Sequence, residues 1–347
     1  MVKIKMIALT MRICGGSAAF LFAKGWGFYP ASSVGGNQEQ KKVFSHAYMQ
    51  VVMIFLGEAF VGLIPIIQKH KQKIHAKQLI FFVVPAILDG FAQSFSNMGI
   101  GGQLISVQQI FRLATILFDA PLSLYNSKHR EIFMRSQSKF QSLFLLFLTF
   151  LITGVSSVGL TSEKQPDSGS TLLSLTYVLI SCVFSALYGQ ATKVYDHIQM
   201  HQLTKQSLEA VVGLVLYLII GLPILGGLKI ENPSDWLYQH GTYYILLNQL
   251  MFLVSVFFVT LAGYLSSKED QQHFMLVEAL RPLLIMAVSI ACGFEKFDST
   301  WTIVSLCCQI LLAMGYWLYF ENQNKSEQLK DIEQRDVQEI NRTELLQ

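Results

Sequence analysis

The sequence predicts an all-α membrane protein of ten transmembrane helices, arranged as two inverted five-helix repeats. Three observations predict it. First, 52% of the 347 residues are hydrophobic. They come in successive runs of about 20, the length that crosses a hydrocarbon core of about 30 Å as helix. Second, lysines and arginines gather in alternate loops, as they do in chains that cross a membrane repeatedly. Third, a polar-x-x-Arg step occurs twice, at Gln109–Arg112 in the fourth run and at Glu278–Arg281 in the ninth. Ten runs of about 22 residues use about 220 positions. That leaves short loops, one tail and no room for a separate soluble domain.

The first run, 5–26, follows Lys3 and Lys5 and carries no small-residue cleavage site, so a retained helix is expected and not a signal peptide. Arg12 and Lys24 lie towards its ends, where long cationic side chains snorkel to the interface. Lys24 is also a candidate ion-pair residue. The second run, 46–68, holds Glu58, and the third, 77–95, holds Asp89 midway through LIFFVVPAILDGFAQSF. The fourth, 101–125, is the most polar, with Gln103, Ser106, Gln108, Gln109 and Arg112. Runs 141–160, 171–193, 206–226 and 243–265 follow; 273–294 holds Glu278 and Arg281, and 300–321 is the last. Gly and Pro inside these runs are compatible with spanning helices, where neighbours satisfy freed backbone groups and small residues allow close approach.

Loop charge gives orientation. Segment 69–77 carries Lys69, Lys71, Lys73 and Lys77, and segment 126–140 carries Lys128, Arg130, Arg135 and Lys139. With ten spans these loops share one side with both termini, and the richer side is cytoplasmic. Five spans per half is an odd number, so the second half (166–321) enters the membrane opposite to the first (1–165). In that design the site lies near the midplane between the repeats. The tail, 322–347, is charged and polar, with Leu329, Ile332, Val337 and Ile340 on a sparse helical stripe. It reads as a solvated cytoplasmic tail, with a helix that docks a protein partner as the alternative.

Charge at membrane depth costs several kcal/mol on insertion scales and marks function by default. Arg112 and Arg281 are the expected binders of an anionic group, since a guanidinium offers a fixed fork of donors suited to carboxylate or phosphate. Gln108, Gln109, Ser106, Asp89 and Glu278 complete the expected substrate set. Glu58, Asp89 and Glu278, with Lys24, are the expected coupling or ion-pair residues. The competing reading is static pairing of Glu278 with Arg281 and Asp89 with Arg112. Ser94, Ser96 and Asn97 can line an aqueous pocket or bond between helices.

Nucleotide-binding, metalloprotease and hydrolase motifs are absent, so no enzyme is expected. No cofactor or metal ligand set is read. The cysteines at 14, 182, 292, 307 and 308 lie in apolar runs and lack zinc-ligand spacing. Tyr188, Tyr264 and the Phe-rich runs read as packing or lipid-facing residues and not as a base-stacking surface. The expected partners are therefore the lipid bilayer and a small organic metabolite, without nucleic acid. A channel needs a polar helix face along its whole length, which only the fourth run approaches.

Several local motifs together resemble the drug/metabolite transporter superfamily. They are Ala23-Lys24-Gly25-Trp26, Met53-Ile54-Phe55-Leu56-Gly57-Glu58, Pro85-Ala86-Ile87-Leu88-Asp89, Ser106-Val107-Gln108-Gln109-Ile110-Phe111-Arg112, Glu278-Ala279-Leu280-Arg281 and Gly293-Phe294-Glu295-Lys296-Phe297. Within that superfamily the chain is most similar to the nucleotide-sugar-transporter-like solute carrier 35 family, in its subfamily F, member 6 branch. The resemblance implies ten helices in two inverted repeats and a cavity lined largely by spans three, four, eight and nine. It also implies a secondary-active carrier working by alternating access, an antiporter of a nucleotide-sugar-like or similar anionic metabolite. The implied location is an intracellular membrane such as Golgi, endosome, lysosome or mitochondrion. The chain departs from the pattern beside the expected site, with Leu113, Pro282 and Met286 where a small residue, Thr and Trp are usual. A membrane scaffold that keeps the fold without transport is the alternative, and its core would be filled by Phe and Leu.

Overall fold

In the computed structural model the described residues are 47–67, 76–100, 105–124, 137–164, 168–195 and 243–265, together with parts of 7–22, 198–224, 281–291 and 300–321. Among them there is helix, turn and bend, and no strand. The helices are numbered in chain order. The described positions of 7–22 form α1; α2 is Ala47–Val61 and α3 Leu63–Ile67. Next come α4 (Ile80–Ile100), α5 (Ile105–Arg112), α6 (Thr115–Leu124) and α7 (Gln137–Lys164). They are followed by α8 (Ser168–Ala191), α9 (Gln202–Leu216) and α10 (Tyr243–Leu265). Residues 281–288 form α11 and Ile303–Leu318 form α12.

Five described segments are long and apolar enough to cross a membrane: Tyr48–Ile67, Lys77–Gly99, Leu172–Ala191, Gln202–Gly221 and Leu247–Leu265. Gln141–Ser156 and Ile303–Leu318 are shorter apolar helices. Large apolar side chains point outward along these helices, Ile66, Val155 and Leu172 among them. Lipid tails are as apolar as Leu, so in a bilayer such faces need no protein cover. The protein is an integral membrane protein by this length and composition.

Apolar contact alone does not hold such helices together in lipid; close packing and polar contacts add to it. One cluster joins α5, α7, α8 and α12 through Ile110, Phe111, Leu146, Phe150, Val178, Cys182, Leu312 and Tyr316. A second joins α2 and α10 through Met49, Ile54, Phe252 and Val256, with Ala19 and Phe22 of α1 against it. A third joins α2 and α9 through Val51, Phe55 and Ala210. The α4–α8 contact is the most extensive, and α2 packs against both α9 and α10. Gly57 makes the α2–α10 approach possible, since a side chain there would meet the Leu253 carbonyl at 2.9 Å.

Two of the described spans are interrupted. After α2 the chain turns at Gly62, and Pro65 of α3 lacks the N–H that Val61 would need. Ser207 of α9 donates to the Ala59 carbonyl there at 2.8 Å. The fourth run, expected as one helix, breaks at Leu113 and Ala114. Across the break the ladder tightens, with Leu113 N–H on Ile110 O at 3.1 Å and Ala114 N–H on Phe111 O at 3.0 Å. Side chains also bond the carbonyls of this turn. The Cys182 thiol donates to Phe111 O at 3.3 Å, Thr115 Oγ1 donates to Arg112 O at 2.8 Å, and the Tyr316 hydroxyl donates to Leu113 O. No Gly or Pro marks this break in the sequence. Partners some 70 and 200 residues away hold it, which is why local reading gives a continuous span.

Candidate functional site

A cavity of about 320 Å³ lies between α1, α2, α4, α5, α10 and α11. Its polar wall includes Arg12, Glu58, Gln109, Arg112, Thr260 and Arg281. Arg112 is half-buried and is the last residue of α5, so the helix break presents it at the cavity. Arg281 is only 8% exposed. It opens α11 and crosses to α1, where Gly16 leaves a slot for it. A Cβ on Gly16 would stand 2.5 Å from the guanidinium Cζ and Nη2 of Arg281. From that slot Nη2 donates to the backbone carbonyl of Arg12 at 3.4 Å.

Among the described residues three carboxylates lie on or near the cavity. Glu58 faces the cavity from α2. Asp89 is buried on α4 and accepts from Gln93 Nε2 at 3.1 Å, and Gln93 itself lines the cavity. Asp89 and Glu209, from two further helices, lie near Glu58, and Arg112 lies near Asp89. Like charges gathered in low dielectric cost free energy unless cations and hydrogen bonds offset them.

The structure brings together Arg112, Arg281, Gln109 and Glu58 around one cavity, with Asp89 behind the lining residue Gln93. It does not bring Gln108 there. That side chain is buried and turned to α4, where its Nε2 donates to Ser96 O at 2.7 Å. Asn97 lines the cavity, whereas Ser94 donates to Gly90 O of its own helix at 2.6 Å. The side chain of Ser106, together with Lys24, Glu278 and the tail 322–347, lies outside the described residues.

Spans one and two also wall the cavity, beyond the four expected. Arg12 sits on it and not at a snorkelling end. Gln93 and Thr260 were missed because neutral polar groups are frequent in spanning helices. Glu209, buried on α9, and Asp119, on α6, were missed although charge within an apolar run is a readable signal. Asp119 belongs elsewhere: it accepts from Gln190 Nε2 at 2.6 Å, and Lys193 Nζ donates to Gln190 Oε1 at 2.7 Å. Among the described residues no group of three His, Cys, Asp or Glu could hold a metal ion. A second cavity of about 360 Å³, walled by Phe55, Phe91, Phe95, Tyr217 and Ile220, carries no charged group.

A charged chamber enclosed by apolar helices is the setting in which relatives become informative. No protein-family model matches the chain. An uncharacterized protein of Schizosaccharomyces pombe is 23% identical over 304 residues, covering 81% of this chain and 89% of its own length. Solute carrier family 35 member F6 of Rattus norvegicus is 22% identical over 340 residues, covering 91% of this chain and 88% of its own. The Homo sapiens protein of that name is also 22% identical, with 91% and 89% covered. The chain is a relative of solute carrier family 35 member F6. A likeness to solute carrier family 35 member F6 over 91% of the chain leaves too few residues at either end to exclude Arg112 or Arg281. Both sides of the cavity therefore fall within it.

Proposed function

We propose that the protein is a secondary-active transporter of an organic anionic metabolite, working by alternating access in an intracellular membrane with both termini cytoplasmic. The observation that carries the reading is that Arg112 and Arg281, one from each half of the chain, line the same cavity. A guanidinium fork is suited to carboxylate and phosphate, and a site between two halves is what rocking of one against the other would expose alternately. The name of the relatives points the same way.

The architecture that serves this function is ten spans in two inverted repeats, 1–165 and 166–321. Its support is the way helices choose partners. Span three packs on span six as α4 on α8. The counterpart, span eight on span one, has Gly15 against Ser255 and Val259 and Asn248 donating to Phe22 O at 2.9 Å. Span two on span eight (α2–α10) has its counterpart in span seven on span three (α9–α4). Span four on span six corresponds to span nine on span one, where Arg281 meets Gly16. Span four on span five corresponds to span nine on span ten, where Gln309 donates to Met286 Sδ at 3.7 Å. A two-fold relation between the halves requires each of these pairs, and an unrelated packing requires none.

The scaffold alternative calls for a core filled by Phe and Leu. A chamber walled by guanidiniums and the Glu58 carboxylate weighs for the carrier. The test is a thermal-shift screen of organic anions on the purified protein, followed by uptake of the hits into proteoliposomes. Arg112→Lys and Arg281→Lys are each expected to lose the shift and the uptake. Retention of both in both variants would end the arginine assignment.

A further inference from the structure

The wall of the cavity holds a third guanidinium. Arg12 of span one faces the same space as Arg112 and Arg281. Its Nη1 lies beside Gly263 of α10, where a Cβ would stand 3.6 Å away. One turn further along α1, Gly16 is the slot for Arg281, and the Arg12 carbonyl accepts from Arg281 Nη2. Two guanidiniums are thus packed on a single turn of span one, with Arg112 on the helix break across from them. Among the described residues the wall carries three guanidiniums and one carboxylate, Glu58, with Asp89 and Glu209 set behind it.

An anion entering between the guanidiniums meets several charged donors at once. A single carboxylate can engage one fork fully; three forks from three helices suit two anionic groups on one molecule. Volume limits its size, since about 320 Å³ is at the lower end of small-molecule sites. We propose that the ligand is a compact organic dianion and that Arg12 binds it together with Arg112 and Arg281. This rests on the reading of the chain as a carrier of organic anions.

The test uses the purified full chain in lipid nanodiscs and follows unfolding against added anion at matched ionic strength. The dianion probes are succinate and glycerol 3-phosphate; the monoanion probes are acetate and lactate. The dianions are expected to stabilise the protein and the monoanions to do so more weakly. Arg12→Gln is expected to raise the half-stabilising dianion concentration about ten-fold or more, the scale of one lost charge-assisted hydrogen bond. Arg12→Lys, which keeps the charge without the fork, is expected to restore part of it, and that recovery separates a ligand contact from a folding defect. Equal stabilisation by monoanions and dianions would overturn the proposal. So would an unchanged dianion response in Arg12→Gln where Arg112→Gln abolishes it, and the carrier reading would then stand. If no anion of either charge stabilises the wild-type protein, both fall.

Discussion

Replacing Gly16 by alanine probes how the second arginine is held. The added methyl would lie 2.5 Å from Cζ and Nη2 of Arg281 and 2.8 Å from Nε. Ordinary carbon contacts fall at about 3.5–4.0 Å, so the methyl intrudes by about 1 Å and the guanidinium, the far end of a flexible side chain, gives way. Losing the aim of one charge-assisted hydrogen bond costs about 1.5–3 kcal/mol, or about ten- to a hundred-fold in affinity. The backbone effect has the opposite sign. Alanine is the better helix former by about 1 kcal/mol, so the unliganded protein is expected to unfold at the same temperature or higher. Anion titrations followed by thermal unfolding read both quantities at once. The same change made on Arg281→Gln should have no further effect on the anion response, because residues in contact are non-additive. A Gly16→Ala protein with wild-type anion response, or one whose loss simply adds to that of Arg281→Gln, would refute the slot.

Three further outcomes are expected. Gln108→Leu should lower stability by about 1 kcal/mol, the size of one interhelical hydrogen bond in a membrane, and leave the anion response intact. Gln109→Leu should do the reverse, and a common effect of the two would contradict their opposite facing. Tyr316→Phe and Cys182→Ala should each cost about 1 kcal/mol in denaturant unfolding, with Cys182→Ser recovering much of the loss because a hydroxyl also donates. Reporters fused to the two termini should report the same, cytoplasmic side, and a split result would remove the even span count.

Much of the architecture was legible because lipid imposes a length on every crossing, and Tyr48–Ile67, Lys77–Gly99 and Leu247–Leu265 follow from run length alone. Arg112, Arg281 and Glu58 were legible for the same reason, since an ion inside an apolar run has few places to go. Arg12 misled because nearness to a helix end was taken as nearness to water. The direction of a side chain depends on which face a neighbour covers, and the glycines of span one draw α10 and Arg281 onto that face. Gln108 and Gln109 are adjacent and chemically identical, so no composition argument could separate the one that bonds Ser96 from the one on the wall. The break in span four was illegible because nothing local to Leu113 and Ala114 causes it.

That break bears on how the chain is made. Its two pieces, of 8 and 10 residues, measure about 12 and 15 Å at 1.5 Å per residue, so neither crosses a bilayer unaided. Arg112 and Asp119 further weaken the segment's claim on lipid. The distant side chains that bond the carbonyls of this turn belong to α8 and to Tyr316 of α12. Full closure of the turn at Leu113 and Ala114 therefore draws on residues made long after span four itself. A chain cut short before residue 303 would lack the Tyr316 hydroxyl that bonds this turn.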